Sequence, residues 1–138
     1  MDDKEKVNQM VQEINQLQQQ GETIAQQIEQ LNISLNDLRT AQQAVKGLEG
    51  AVGKETLIPI GAGCFITTEL KSEDVIVGVG ADVAIKRTRE ETEETLKKDQ
   101  EEVENLLKSL TEQLQKINEY IAQKRPEAER LMKESGVQ

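Results

Sequence analysis

The chain has 138 residues, but one Phe, one Tyr and no Trp exclude a compact core built on large aromatic anchors. Charged residues make up 31% of it and the formal net charge is −9. No basic stripe exists to displace counterions from a nucleic acid, and anionic membrane surfaces are disfavoured.

From Val7 the apolar residues step by alternating threes and fours. The a positions are Val7, Ile14, Gly21, Ile28, Leu35 and Gln42; the d positions are Met10, Leu17, Ile24, Leu31, Leu38 and Val45. This is a sustained heptad seam, so a coiled-coil helix is expected over 4–49. At about 1.5 Å per residue it is too long for a globular-core helix. Gly47, Gly50 and Gly53 end the pattern.

The next stretch, 55–87, reads as strands: Leu57-Ile58-Pro59-Ile60, Cys64-Phe65-Ile66-Thr67-Thr68, Val75-Ile76-Val77-Gly78-Val79 and Val83-Ala84-Ile85-Lys86. β-Branched residues dominate, and Gly61-Ala62-Gly63 and Gly80-Ala81-Asp82 supply the turns of two consecutive β-hairpins. Thr88-Arg89-Glu90-Glu91 then has the spacing of a capping box, and a second heptad helix is expected over 88–133. Its seam is Leu96, Val103, Leu107, Leu110, Leu114, Ile117, Ile121, Ala128 and Leu131. Pro126 is expected to bend or end that helix one turn past Ile121.

Two helices of nearly equal length flank a centre too small to keep them apart, so they fold back on each other. One register sets Leu17 against Ile121, Ile24 against Leu114 and Gly21 against Ile117. A slip of one heptad is almost as good. The expected fold is therefore mainly α: a single domain, 1–138, made of a long antiparallel coiled-coil hairpin with two central β-hairpins.

Chemistry is not expected of this chain. Histidine is absent, which removes His-based general bases and the commonest zinc ligand. The carboxylates sit on solvated helix faces, where nothing raises a pKa towards neutrality. Gly47 to Lys54 has the wrong spacing for a phosphate loop and follows a helix, with Glu55 where Ser or Thr belongs. Gly78-Val79-Gly80 has Val83 at the third glycine position of a dinucleotide fingerprint and leads into a strand. No enzyme activity, cofactor or metal is expected. One cysteine, Cys64, fits a reducing compartment. With no signal pattern at the N-terminus and no apolar run of spanning length, a cytoplasmic protein is expected.

Leu57, Ile58, Ile60, Phe65, Ile66, Val75, Val77, Val79, Val83 and Ile85 are too many apolar residues for so small a centre, and short strands leave unpaired edges. These ten are expected to make subunit contacts. At the free helix ends lie Val7, Met10, Val11, Ile14, Ile121, Ala128, Leu131 and Met132, of which Met10, Val11, Leu131 and Met132 cannot all point into a two-helix seam. As a group they are expected to grip other proteins, with Met adaptable on such surfaces.

Heptads, two hairpins, heptads: in that order, with Leu57-Ile58-Pro59-Ile60-Gly61-Ala62-Gly63 and Val75-Ile76-Val77-Gly78-Val79-Gly80, the chain resembles an alpha-class prefoldin subunit over its whole length. The resemblance implies a hexamer of two alpha-class and four beta-class subunits, whose hairpins join in a β-barrel platform carrying six coiled coils. It implies an ATP-independent chaperone that holds unfolded client proteins at the coiled-coil tips and passes them to a group II chaperonin. The alternative is a structural spacer, or a filament-forming prefoldin-like protein, without client grip.

Overall fold

A computed structural model of the chain describes residues 2–136. Met1, Val137 and Gln138, which the expected domain includes, lie outside the described residues. The element order is α1 (Asp3–Gly47), β1 (Glu55–Gly61), β2 (Cys64–Glu69), β3 (Val75–Gly80), β4 (Val83–Arg87) and α2 (Arg89–Ser135). The chain divides into two compact units, one of Met1–Ser34 with Val103–Gln138 and one of Leu35–Glu102.

Both helices begin on caps written in the sequence. The Glu5 amide donates to Asp2 Oδ1 at 2.8 Å, and the Glu91 amide donates to Thr88 Oγ1 at 3.1 Å. Each bond satisfies one of the amides a first turn leaves without a partner. Every a and d position expected in α1, from Val7 to Val45, is buried or half-buried, and so are those expected in α2 from Leu96 to Leu131. Ile33 and Leu106, which fall outside the seam, stay exposed.

In the unit of Met1–Ser34 with Val103–Gln138, the two helices pack antiparallel. Ile14, Ile121 and Ala128 form a buried cluster, with Met10, Leu17 and Ile117 packed against it. A Cβ placed on Gly21 would meet Leu114 Cδ1 at 3.5 Å and Ile117 Cγ2 at 3.7 Å. That is the register setting Gly21 against Ile117 rather than its one-heptad slip. Full burial of one Ile or Leu contributes roughly 1.5–3 kcal/mol, so a seam of such residues outweighs any surface charge pair.

α2 does not end at Pro126, which lies inside the helix. Of the two outcomes expected at Pro126, an end does not occur, because the seam continues past it through Ala128 and Leu131. Burial on both sides of Pro126 offsets a local penalty of about 3 kcal/mol for the missing amide and the crowded ring.

In the unit of Leu35–Glu102, β1 pairs only with β2 and β3 only with β4, giving two separate antiparallel sheets. Thr56 faces Thr68, with their hydroxyls 2.7 Å apart, and Ile58 faces Ile66 on the same side. Leu57, Pro59 and Phe65 point to the other side. Gly53 and Lys54 extend this ladder through bonds to Leu70.

The two hairpins turn by the same device. Each has a register shift just before its turn, between Pro59 and Gly61 and between Gly78 and Gly80. The shifted glycines have φ of 108° at Gly61 and 100° at Gly80, a backbone that side chains disfavour. The two turn residues that follow all have positive φ: Ala62 at 51°, Gly63 at 76°, Ala81 at 50° and Asp82 at 60°. Positive φ at both central residues marks a type I′ turn, whose twist matches that of paired strands.

Alanine is a strained occupant of this conformation, by about 1–2 kcal/mol. Ala62→Asn, which puts an Asn-Gly pair in the first turn, is therefore expected to stabilise the assembled protein by about 1 kcal/mol. Thermal unfolding of the unaltered protein and the Ala62→Asn variant checks it; a lowered midpoint in the variant contradicts the turn assignment.

Candidate functional site

The hairpins expose their apolar side chains. Leu57 is 67% exposed, Ile60 63% and Phe65 59%, and Ile58, Ile66, Val79, Val83 and Ile85 are exposed as well. Val75 and Val77 are only half-buried. They face a cavity of about 430 Å³ whose walls include Val45 of α1 and Thr92 and Leu96 of α2. Sequence reasoning missed Ile76, which is 64% exposed on the opposite side of β3 from Val75 and Val77. In Val75-Ile76-Val77 every residue is apolar, so alternation gave no sign of which face would be covered. Cys64 is exposed beside the first turn.

Below the hairpins a charge cluster fixes the connections. The Arg89 side chain is 12% exposed, and its Nη1 lies 2.8 Å from Glu93 Oε1 and 3.9 Å from Glu49 Oε2. Nη2 lies 3.0 Å from Glu90, and Nε lies 3.3 Å from Glu73 Oε1 at an angle that makes no hydrogen bond. Glu73 also accepts from the Gly50 amide at 3.1 Å. One guanidinium thus ties the turn after α1, the connector between the hairpins and the first turn of α2. The fixed fork of donors suits Arg to this task. Local sequence showed Glu90 and Glu93 but not the arrival of Glu49 and Glu73.

At the helix ends the eight expected grip residues divide. Val7 is 1% exposed, Ala128 4%, and Ile14 and Ile121 8% each, so these four face the seam. Met10, Val11, Leu131 and Met132 are half-buried and reach the surface. Lys124 is also half-buried at a seam position, with its Nζ 5.7 Å from the Tyr120 ring centre and 3.5 Å from Glu127. A search for apolar periodicity passes over such a residue, whose stem packs while its charge reaches water. The Tyr120 hydroxyl crosses to α1 and donates to Glu13 Oε1 at 2.6 Å. That bond, with some burial and the negative charges of Glu13 and Glu127, holds the phenol pKa above its usual value.

The prefoldin family model, described as prefoldin subunit, matches residues 17–134. A protein of Methanosphaera stadtmanae described as prefoldin subunit alpha is 78% identical over 138 residues, covering the whole of both chains. The chain belongs to the prefoldin family. A second prefoldin subunit alpha, from Methanobrevibacter smithii, is 34% identical over 132 residues, covering 95% of this chain and 90% of its own. These relatives place the chain in the alpha class of prefoldin subunits. It shares its fold with a chain in the cryo-EM structure of filamentous PFD from Methanocaldococcus jannaschii. The TM-score is 0.66 at 19% identity, covering 80% of this chain and 93% of that one. Among the described residues, no helix is long and apolar enough to cross a membrane.

The sole tyrosine makes the inter-helix bond directly readable. In a spectrophotometric titration, Tyr120 is expected to ionise above the ordinary tyrosine pKa of about 10. Glu13→Gln, which removes the charged acceptor, should bring the midpoint back towards that value. Because the folded pKa is raised, the bond's contribution is complete below the unfolded tyrosine pKa and is lost as pH rises through the folded one. Identical midpoints in both proteins would show that the bond does not form in solution.

Proposed function

We propose that this prefoldin subunit is part of an ATP-independent holdase, which captures unfolded proteins at the helix ends and delivers them to a group II chaperonin. The observation that carries the reading is the pairing, in one chain, of two apolar surfaces of different character. The hairpin surface is dense in exposed apolar side chains, most of them β-branched, and permanent contacts are the more apolar kind. The surface at the helix ends is sparse, half-covered and contains two flexible methionines, as a changing partner requires.

In this reading Leu57, Ile58, Ile60, Phe65, Ile66, Val79, Val83 and Ile85, with the added Ile76, meet beta-class prefoldin subunits in the cytoplasm. The assembly is a hexamer of two alpha-class and four beta-class chains. Val75 and Val77 serve the packing beneath that contact. Client contact passes first to Met10, Val11, Leu131 and Met132, since Val7, Ile14, Ile121 and Ala128 are turned inward. Each end offers little area and holds weakly, and several ends acting on one client raise the avidity by orders of magnitude.

The test is light scattering of a denatured client during refolding without ATP. The assembly with a beta-class subunit is expected to suppress aggregation. The same assembly carrying Val11→Ser and Leu131→Ser should lose most of that effect while keeping its mass. Equal suppression by both would move the client grip elsewhere, and no suppression by either would favour a structural spacer.

A further inference from the structure

Apolar pairing alone leaves the register of the coil open. In the unit of Met1–Ser34 with Val103–Gln138, Gly21 faces Leu114 and Ile117, and Leu17 and Ile121 share one cluster. The one-heptad slip would instead set Met10 against Ile121, Ile14 against Ile117 and Leu17 against Leu114. For the seam positions of α1 from Val7 to Ile24, either register gives one pair with Lys124, one with Gly21 and four that are wholly apolar. The slip would uncover Ala128 and Leu131, but it would also give Leu96 the partner Leu35 in place of Gln42. Apolar burial is non-directional and follows area, so it separates these two pairings poorly. A directional contact has to choose.

One polar group crosses between the helices. The Tyr120 hydroxyl donates to Glu13 Oε1 at 2.6 Å. Lys124, half-buried at a seam position, has its Nζ 5.7 Å from the Tyr120 ring centre and 3.5 Å from Glu127 Oε2. A lysine in an apolar seam lowers stability but restricts register, because its charge must have a way out to water. Here that way leads past the Tyr120 ring to Glu127. The group depends on the register. The slip would put Lys6 where Glu13 stands beside Tyr120, and would carry Lys124 from the level of Ile14 to that of Val7, next to Lys6. The phenol would lose its charged acceptor, and two ammonium groups would crowd one ring. A hydrogen bond to a carboxylate is among the stronger kinds, and like charges brought together repel.

We propose that Glu13, Tyr120 and Lys124 form a register pin, the polar contact that selects the pairing of the two helices over its one-heptad slip. The pin does not depend on the holdase reading. It decides which side chains the helix ends turn inward: Val7, Ile14, Ile121 and Ala128 are buried in this register, and the slip would release Ala128.

The experiment measures the register directly, in the full chain assembled with a beta-class subunit. Spin labels are placed at Gln27→Cys and Gln123→Cys, both exposed, in a chain carrying Cys64→Ser. Labelled chains are diluted with unlabelled ones, so that pulsed electron resonance reads distances within one chain. A slip of one heptad slides the helices by about 10 Å and lengthens the distance between the labels accordingly. The unaltered pairing is expected to give a single distance. Exchanging Lys6→Glu with Glu13→Lys moves the carboxylate one heptad along α1, at two exposed positions that the fold does not need. The exchanged chain is expected to keep its helical circular dichroism and to show a second, longer distance. Adding Tyr120→Phe should remove most of that second population. A single unchanged distance in the exchanged chain overturns the pin and leaves the register to the Arg89 cluster. A longer distance that survives Tyr120→Phe at full weight overturns the role of the tyrosine. Two distances in the unaltered chain would show that the polar contact selects nothing.

Discussion

A two-stranded hairpin is at best marginally stable in water, and this chain carries two of them, each paired with nothing but itself. Both sides of the first hairpin are apolar, with Ile58 and Ile66 on one and Leu57, Pro59 and Phe65 on the other. In the folded chain Leu57, Ile58, Phe65 and Ile66 all stay exposed. Exposed apolar surface of this density, bordered by open strand edges, has to be met by another molecule. The rest of the structure is organised around that debt. Type I′ turns hold the hairpins in a fixed twist, the Arg89 cluster fixes their connections to the helices, and the cavity under β3 lets Val75 and Val77 seat against α1 and α2. The helices, by contrast, satisfy themselves.

In the proposed reading, that contrast lets one short chain serve two kinds of contact. Surfaces that assemble gain from rigidity, because little ordering entropy is lost on contact. Surfaces that take many partners gain from side chains that are only partly committed. The seam supplies the second kind by running out of inward positions. At the ends, Val7, Ile14 and Ala128 fill the seam, and Met10, Val11, Leu131 and Met132 are left on its margins.

The seam was legible in the sequence because a heptad is a one-dimensional signal: every expected position from Val7 to Val45 is buried or half-buried. The strands and turns were legible too, since glycine spacing and β-branched runs are local. What was not legible depended on contacts between distant parts. β3 could have faced either way, so Ile76 was overlooked. Glu49 and Glu73 reach Arg89 only through the fold. Pro126 read as a place to bend or end the helix because its local penalty is visible in sequence, while the burial that carries α2 past it belongs to the packed pair. Which of the apolar helix-end residues turn inward and which stay half-buried needed the packed pair.

The most direct test of this account is the mass of the protein in solution, measured by sedimentation, alone and with a beta-class subunit. The comparison is with Leu57→Lys and Phe65→Lys, two changes on one face of the first hairpin. The account predicts that the unaltered chain sediments as part of a larger assembly, and that the altered chain falls to monomer with its helical circular dichroism intact. An unaltered chain that stays monomeric and folded under both conditions, or an altered chain that assembles as well as the original, would contradict it.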